Sequence, residues 1–392
     1  MEYRLDRQGN KISVLGYGCM RFSTKGAAID IKKTEGEILR AVEGGINYFD
    51  TAYIYPGSEA ALGEILEKNN LRDKVYIATK LPHYLLKKSE DMDRLFNEEL
   101  RRLRTDHVDY YLMHMLNDLG AWERIQNLGI LDWLEEKKKS GQIRQVGFSY
   151  HGNTDMFLKL LDAYDWDFTQ IQYNYLDETS QAGVKGLERA AEKNVPVVIM
   201  EPLRGGRLAN KLPEAAVKIL NQARPEWSPA EWSFRWLWNQ EAVTCVLSGM
   251  NSLEMIDENI KSASSSKAGA FTQEDFDTIK KVVKVINSLT KVSCTGCRYC
   301  MPCPKGVDIP GIFAAYNRSF SDNYFQGLKD YFMCTSIRST STGASNCIKC
   351  GKCELHCPQS IEIRKMLTKA KRRFETPIYK IVRFFQTKIM KY

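Results

Sequence analysis

The sequence predicts an α/β chain: a (β/α)8 TIM barrel followed by a small C-terminal dicluster ferredoxin-like domain of helices and loops. Three observations carry this. Short β-rich runs alternate eight times with helix-period segments through about the first 290 of the 392 residues. Eight cysteines then fall into two closely spaced runs. Each run has three cysteines at steps of three and then a fourth followed by proline, the bacterial-ferredoxin way of holding a [4Fe–4S] cluster.

The predicted strands are Val14–Cys19, Ile46–Thr51, Val75–Lys80, Val108–His114, Val146–Tyr150, Phe168–Asn174, Pro196–Glu201 and Thr244–Gly249. Several are almost continuously apolar, as parallel strands covered on both faces should be. The segments between them carry helical periodicity. In 91–104, Met92, Leu95, Phe96, Leu100 and Leu103 share one face. Gly44-Gly45 and Gly141 supply helix stops. Eight alternations suit a barrel better than an open doubly wound sheet. No G-x-G-x-x-G follows a strand, which counts against a Rossmann unit. The expected organisation is a barrel over 1–289, a cluster domain over 290–368 and a basic tail over 369–392. A flexible-looking stretch, 261–270, and a helical segment, 272–289, lead into the first cysteine run.

Hydrophobic residues make up 43% and charged residues 27%, an ordinary globular composition. The start, Met1-Glu-Tyr-Arg-Leu-Asp-Arg, has no apolar signal core, and no apolar stretch approaches the roughly 20 residues of a membrane span. A cytoplasmic chain is expected, where clustered cysteines bind metal rather than form disulfides. Much of the net charge of +8 comes from the ending: Lys369, Lys371, Arg372, Arg373, Lys380, Arg383, Lys388 and Lys391. The tail from Pro377 reads as a basic amphipathic helix, expected to pack on its own protein rather than on a membrane. No nucleic-acid module is visible, so nucleic acid is set aside.

A barrel places chemistry at the C-terminal ends of its strands. There the predicted strands offer Asp50, Lys80, His114 and Ser149, with Tyr55 in the loop after Asp50. Singly, each has a bland reading: a cap, a surface ring, a solvated charge, a core histidine. Together at consecutive strand ends they point to function. Five aromatics near the eighth strand, Trp227, Trp232, Phe234, Trp236 and Trp238, look like a substrate-stacking cluster, but the helical spacing of Trp232 and Trp236 favours barrel packing. Cys19, Cys245 and Cys334 fall outside the runs and read as small buried hydrophobes. Met20, Arg21, Tyr53, His83, Tyr84 and Trp122 suggest a mixed substrate pocket.

At these residues the sequence resembles the aldo-keto reductases. Gly45-Ile-Asn-Tyr-Phe-Asp50-Thr-Ala-Tyr-Ile-Tyr55 looks like the motif around that family's catalytic aspartate and tyrosine. Ala78-Thr-Lys80 looks like its lysine strand, and Val108-Asp-Tyr-Tyr-Leu-Met-His114 like its histidine strand. With the cysteine runs, the chain resembles the branch fused to a ferredoxin-like domain. The resemblance implies nicotinamide-dependent reduction of a carbonyl or oxidation of the alcohol. Tyr55 would be general acid/base, Lys80 its electrostatic partner, Asp50 the orienter of Lys80 and His114 the donor to the substrate oxygen. It places Ser149 and Gln170 on the nicotinamide carboxamide, Met200 at the stacking position, and Pro202, Leu203 and Gly205 in the pyrophosphate loop. Ser248 and Asn259 match its adenosine end, but Gly249 and Met255 stand where NADPH-specific members carry a lysine and an arginine. Losing two cations opposite a phosphate weakens NADPH preference and leaves NADH open. Arg204 or Arg207 are candidates to compensate.

The first run is Cys294, Cys297, Cys300 and Cys303; the second is Cys347, Cys350, Cys353 and Cys357. Both are followed by a Val/Ile-x-Ile step, an internal repeat. In two-cluster ferredoxins the fourth cysteine of a run ligates the other cluster. That assigns Cys294, Cys297, Cys300 and Cys357 to one cluster, and Cys303, Cys347, Cys350 and Cys353 to the other. The first run has two residues before its last cysteine where the bacterial pattern has three, which makes it the less secure site. Structural zinc is the competing reading of such pairs. Hydride carries two electrons and each cluster one, so a flavin in the barrel and a ferredoxin- or flavodoxin-type partner also enter. The alternative function is an electron-transfer subunit whose barrel serves as a docking or nucleotide-binding module.

Overall fold

The computed structural model describes residues 1–389 except 27, 153, 180, 322 and 337–340, with side chains of 385–389 excluded. Lys391 and the Lys388 side chain therefore lie outside the described residues. The chain packs as two units. Met1–Leu203 with Ala230–Gln273 form one; Arg204–Pro229 with the chain from Glu274 onward form the other.

In the first unit, β1 (Leu15–Gly18), β2 (Tyr48–Asp50), β3 (Tyr76–Leu81), β4 (Val108–Met113), β5 (Ile143–Tyr150), β6 (Phe168–Gln172), β7 (Val197–Met200) and β8 (Val243–Ser248) close a parallel barrel. Each strand pairs with the next in the chain, and β8 closes on β1. All eight are the predicted strands, with shifted ends. The interior is filled by Tyr48, Ala78, Tyr110, Leu112, Phe168, Val198, Cys245 and Leu247, with Ile12 joining them. Burying an apolar side chain of this size contributes about 1.5–3 kcal/mol, so this layer makes the barrel a packed core and not a pore.

Ile12 comes from a hairpin, Tyr3–Leu5 with Lys11–Ser13. The hairpin is fixed to the barrel by Asp6, whose carboxylate accepts from the Tyr110 hydroxyl at 2.5 Å. A second hairpin, Thr24–Lys25 with Ala28–Ile29, was not predicted, because two-residue strands show no periodicity. Four of the five aromatics pack in the first unit as expected, whereas Trp227 belongs to the second unit, half-buried with the Arg224 guanidinium 5.0 Å from its ring centroid. Trp232, Phe234, Trp236 and Trp238 are buried, and the Trp238 indole donates to the Val14 carbonyl at 2.8 Å.

The second unit has its own core, built from Val307, Ile309, Ile312, Phe313, Tyr331, Ile363, Leu367 and Phe374. The long insert between the cysteine runs holds two helices, Ile309–Ser321 and Tyr324–Thr335. They approach closely at Gly327, where a Cβ would come within 2.4 Å of the Ser319 Cβ. In the tail helix, Pro377–Ile389, Tyr379 is buried against Tyr331 and Phe332, while among the described side chains Ile378, Ile381, Val382 and Phe384 are exposed. No helix among the described residues is long and apolar enough to cross a membrane.

Candidate active site and cluster sites

β2 delivers Asp50 and β3 delivers Lys80. Pairing of Asp50 with Ala78 puts the two side chains at one end of the barrel. Lys80 Nζ lies 2.7 Å from Asp50 Oδ2 and donates to the Thr51 carbonyl at 2.6 Å. Both residues are buried, at 1% and 4% exposure, so the pair is shielded from water and salt. Burial pushes the Asp50 carboxyl up, while the Lys80 ammonium and then the Gln170 side chain pull it back.

The turn after β2 carries Tyr55, its backbone N–H bonded to the Ala52 carbonyl at 3.0 Å. Lys80 Nζ sits 5.4 Å from the Tyr55 ring centroid. His114, one residue past β4, meets that ring edge-on at 6.2 Å between centroids. His114 is buried, and its Nδ1 has no hydrogen-bond partner among the described residues. Burial holds its pKa well below the usual imidazole range, and Lys80, His151 and His83 add to the effect. Its ring is neutral at physiological pH. The four strand-end residues thus form one constellation.

Two of these neighbours escaped the sequence reading in this role. His151 follows β5 directly and holds the Gln181 side chain at 3.0 Å; burial lowers its pKa to about 4. Burial likewise lowers His83 to about 4. His151 is the residue after Tyr150, so the rule that strand ends carry function would have found it. Trp122, taken as a pocket wall, is instead buried between Tyr164 and Trp166. Tyr53 lies against the Arg102 guanidinium, 4.3 Å from its ring centroid.

Ser149 and Gln170 face each other across the β5–β6 pairing. The Ser149 hydroxyl accepts from the Met115 N–H at 2.8 Å. Gln170 Nε2 lies 3.8 Å from Met200 Sδ, and its buried Oε1 has no partner among the described residues. Those unused groups fit a bound carboxamide, which would donate to Gln170 and accept from Ser149. Pro202 and Leu203 follow in the turn after β7; Gly205, at φ +68°, belongs to the second unit. Asn259 donates to Ser248 Oγ at 3.3 Å. Gly249 has Arg21 over it: a Cβ there would lie 3.1 Å from Arg21 Cδ. The aliphatic stem of Arg21, from another loop, thus lies over the position where the lysine is missing. Arg204 and Arg207, the other candidates, reach the first cysteine run instead, donating to the Ser293 and Cys294 carbonyls.

The two runs share one backbone design. Left-handed residues fall at matching places: Gly296 and Lys349, Arg298 and Gly351, Gly306 and Ser360. After the fourth cysteine, the Gly306 and Ser360 N–H groups donate to the Cys303 and Cys357 carbonyls at 2.9 and 3.0 Å. The residue missing from the first run is absorbed between Cys300 and Cys303 alone, and the repeat resumes in step afterwards. Cys294, Cys297, Cys300 and Cys357 line one cavity. Cys303, Cys347, Cys350 and Cys353 line a second, which Cys300 also borders. None of the eight is in a disulfide. Burial and then Cys294, Cys297 and Cys357 push Cys300 up to about 12; burial and then Glu354, with Cys347 and Cys303, push Cys353 to about 11. Thiols crowded this way ionise together only around a cationic core, which is what an iron–sulfur cubane supplies.

The sequence profile of the aldo/keto reductase family matches residues 14–284, and that of a 4Fe-4S dicluster domain matches 293–362. An uncharacterised oxidoreductase of Bacillus subtilis is 27% identical over 305 residues, 70% of this chain and 93% of its own length. The L-galactose dehydrogenase of Arabidopsis thaliana is 23% identical, over 73% of this chain and 95% of its own. Among solved structures, the holo form of an aldo-keto reductase from Bacillus halodurans superposes with a TM-score of 0.60 at 24% identity, covering 72% and 96% of the two chains. One from Klebsiella pneumoniae in complex with NADPH gives 0.58 at 21% identity, covering 72% and 95%.

Proposed function

This chain belongs to the aldo/keto reductase family, with a 4Fe-4S dicluster domain after its barrel, and from that premise we propose that the barrel reduces a small carbonyl, or oxidises the corresponding alcohol, with a nicotinamide dinucleotide. The clusters exchange single electrons with a ferredoxin- or flavodoxin-type partner. The observation that carries the reading is the buried Asp50–Lys80 pair beneath the Tyr55 ring, 2.7 Å across and 5.4 Å from the centroid.

A reduced nicotinamide supplies the hydride to the carbonyl carbon. The chain's own residues manage the charge that then grows on oxygen. The Tyr55 hydroxyl donates its proton to that oxygen, leaving phenolate. Free tyrosine titrates near 10, and a buried ammonium beside it stabilises the phenolate and brings the transfer toward neutral pH. Asp50 and the Thr51 carbonyl keep that ammonium from turning away. His114, held neutral, donates a ring N–H to the same oxygen and orients it. Ser149 and Gln170 take the carboxamide. The nucleotide seen with the Klebsiella relative supports the cofactor class, and the Arg21 side chain, whose stem lies over Gly249, supports acceptance of a 2′-phosphate.

The test is steady-state reduction of a panel of small aldehydes and ketones by wild type and Tyr55→Phe, with nucleotide affinity measured beside it. The expected result is a loss of about 10²–10⁴ in kcat for Tyr55→Phe with nucleotide binding kept. Turnover preserved in that variant would remove Tyr55 from the chemistry.

A further inference from the structure

One cation beside the first cysteine run is not used by the proposed carbonyl chemistry. Arg207 opens a short turn of helix, Arg207–Asn210, after Gly205-Gly206, both in left-handed backbone. Its Nη1 donates to the Cys294 carbonyl at 2.6 Å, and Arg204 donates to the neighbouring Ser293 carbonyl at 3.3 Å. The Arg207 side chain is partly buried, and among the described residues it has no carboxylate partner. The charged groups that face it are Arg204, of like sign, and the Cys294 sulfur.

A guanidinium stays charged at any physiological pH. Partly buried beside a second cation, it is costly unless an anion completes the arrangement. A cubane held by four thiolates is that anion. It is negative in both oxidation states and gains one further negative charge on reduction, so a fixed cation nearby favours the reduced form.

The second set has a different environment. Two cations, Lys352 and Arg364, line its cavity; Lys352 is exposed, and Arg364, which couples to Cys353 and Cys347, has a side chain 49% exposed. It is held by Glu354 through Nε at 2.8 Å and Nη2 at 2.7 Å, so its charge is cancelled at the site and screened by water. The internal repeat of the backbone is therefore not a repeat of the electrostatics.

We propose that Arg207 makes the cluster of Cys294, Cys297, Cys300 and Cys357 the higher-potential of the two, the place where an electron entering the domain comes to rest. The proposal rests on the reading that both cysteine sets hold [4Fe–4S] clusters as assigned. Arg207 acts through the cluster's charge, as a tuning residue.

The test is an anaerobic redox titration of the full-length protein, followed by electron paramagnetic resonance. Cys294→Ser identifies the signal of the first cluster. In the wild type that signal appears at the higher potential. Arg207→Gln lowers the reduction equilibrium of that cluster at least tenfold, 59 mV for a one-electron couple, and leaves the second in place. Arg207→Lys, which keeps the charge, holds the wild-type value. A first cluster that is the lower-potential one in the wild type overturns the proposal whatever the variants do. So does an unmoved midpoint in Arg207→Gln, or an equal fall of both clusters. Iron and sulfide content short of two cubanes in the wild type would instead overturn the cluster reading beneath it.

Discussion

Lys80 has two fixed partners, the Asp50 carboxylate and the Thr51 carbonyl, and one mobile task, the charge of Tyr55. Removing Asp50 leaves a buried ammonium free to reorient, so Asp50→Asn is expected to lower kcat by at least tenfold while affecting KM less. Equal loss in kcat and nucleotide affinity would make Asp50 a binding residue instead. Arg21 carries a separate prediction. Because its side chain covers Gly249, Arg21→Ala should weaken NADPH more than NADH, by about 1 kcal/mol or more for a lost charge-assisted contact. Unchanged discrimination between the two nucleotides by titration calorimetry would remove it from the phosphate site. Asp50, Lys80 and His114 were legible because a barrel strand announces its own end. Trp122 was not, because whether a loop-helix tryptophan lines a pocket or fills a gap depends on Tyr164 and Trp166, distant in sequence. Arg21 was missed in its role for the same reason: only the fold brings it over Gly249.

The cysteine runs are elements whose sequence carried most of their structure. The likeness to two-cluster ferredoxins implied the crossed assignment, and each assigned set of four lines one cavity, with Cys300 bordering both. The crossing makes an unusual prediction. Cys357→Ser, although in the second run, should damage the cluster held by Cys294, Cys297 and Cys300. Cys303→Ser should damage the one held by Cys347, Cys350 and Cys353. Iron content and paramagnetic signals of the two variants decide it; damage confined to the mutated run would contradict the crossing. The short step before Cys303 cast doubt on the first site from sequence alone. Beyond that step the backbone falls back into register, with Gly306 and Ser360 both left-handed. The tail was legible as a helix, but which residues it buries was not: among the described side chains Tyr379 is buried while Ile378, Ile381, Val382 and Phe384 are exposed.

For the molecule as a whole, acid stability follows from the histidines around the barrel mouth. Unfolded imidazole titrates near 6.5, while His83 and His151 titrate at about 4 when folded. Between these values the unfolded chain binds more protons, so stability falls as pH drops through this window and is unaffected by these groups above it. The slope is at most ~1.4 kcal/mol per pH unit for each histidine. Thermal unfolding from pH 7.5 to 4.5 should show it, and His151→Asn should flatten it; equal slopes would contradict the assignment. In the proposed function the barrel would handle electrons in pairs and the clusters one at a time, so the two chemistries would need a splitting step to meet. Reduction of the clusters by NADPH under anaerobic conditions would establish that link, and reduction only after flavin is added would place the splitting in flavin. The central claim concerns the barrel, and it is tested most directly by following the hydride itself. With NADPH deuterated at the transferred position and a carbonyl accepted from the panel, mass spectrometry of the alcohol should find deuterium on the former carbonyl carbon, in proportion to NADPH consumed. Product lacking deuterium, formed while NADPH is consumed, would contradict direct transfer at the Tyr55–Lys80–Asp50–His114 site.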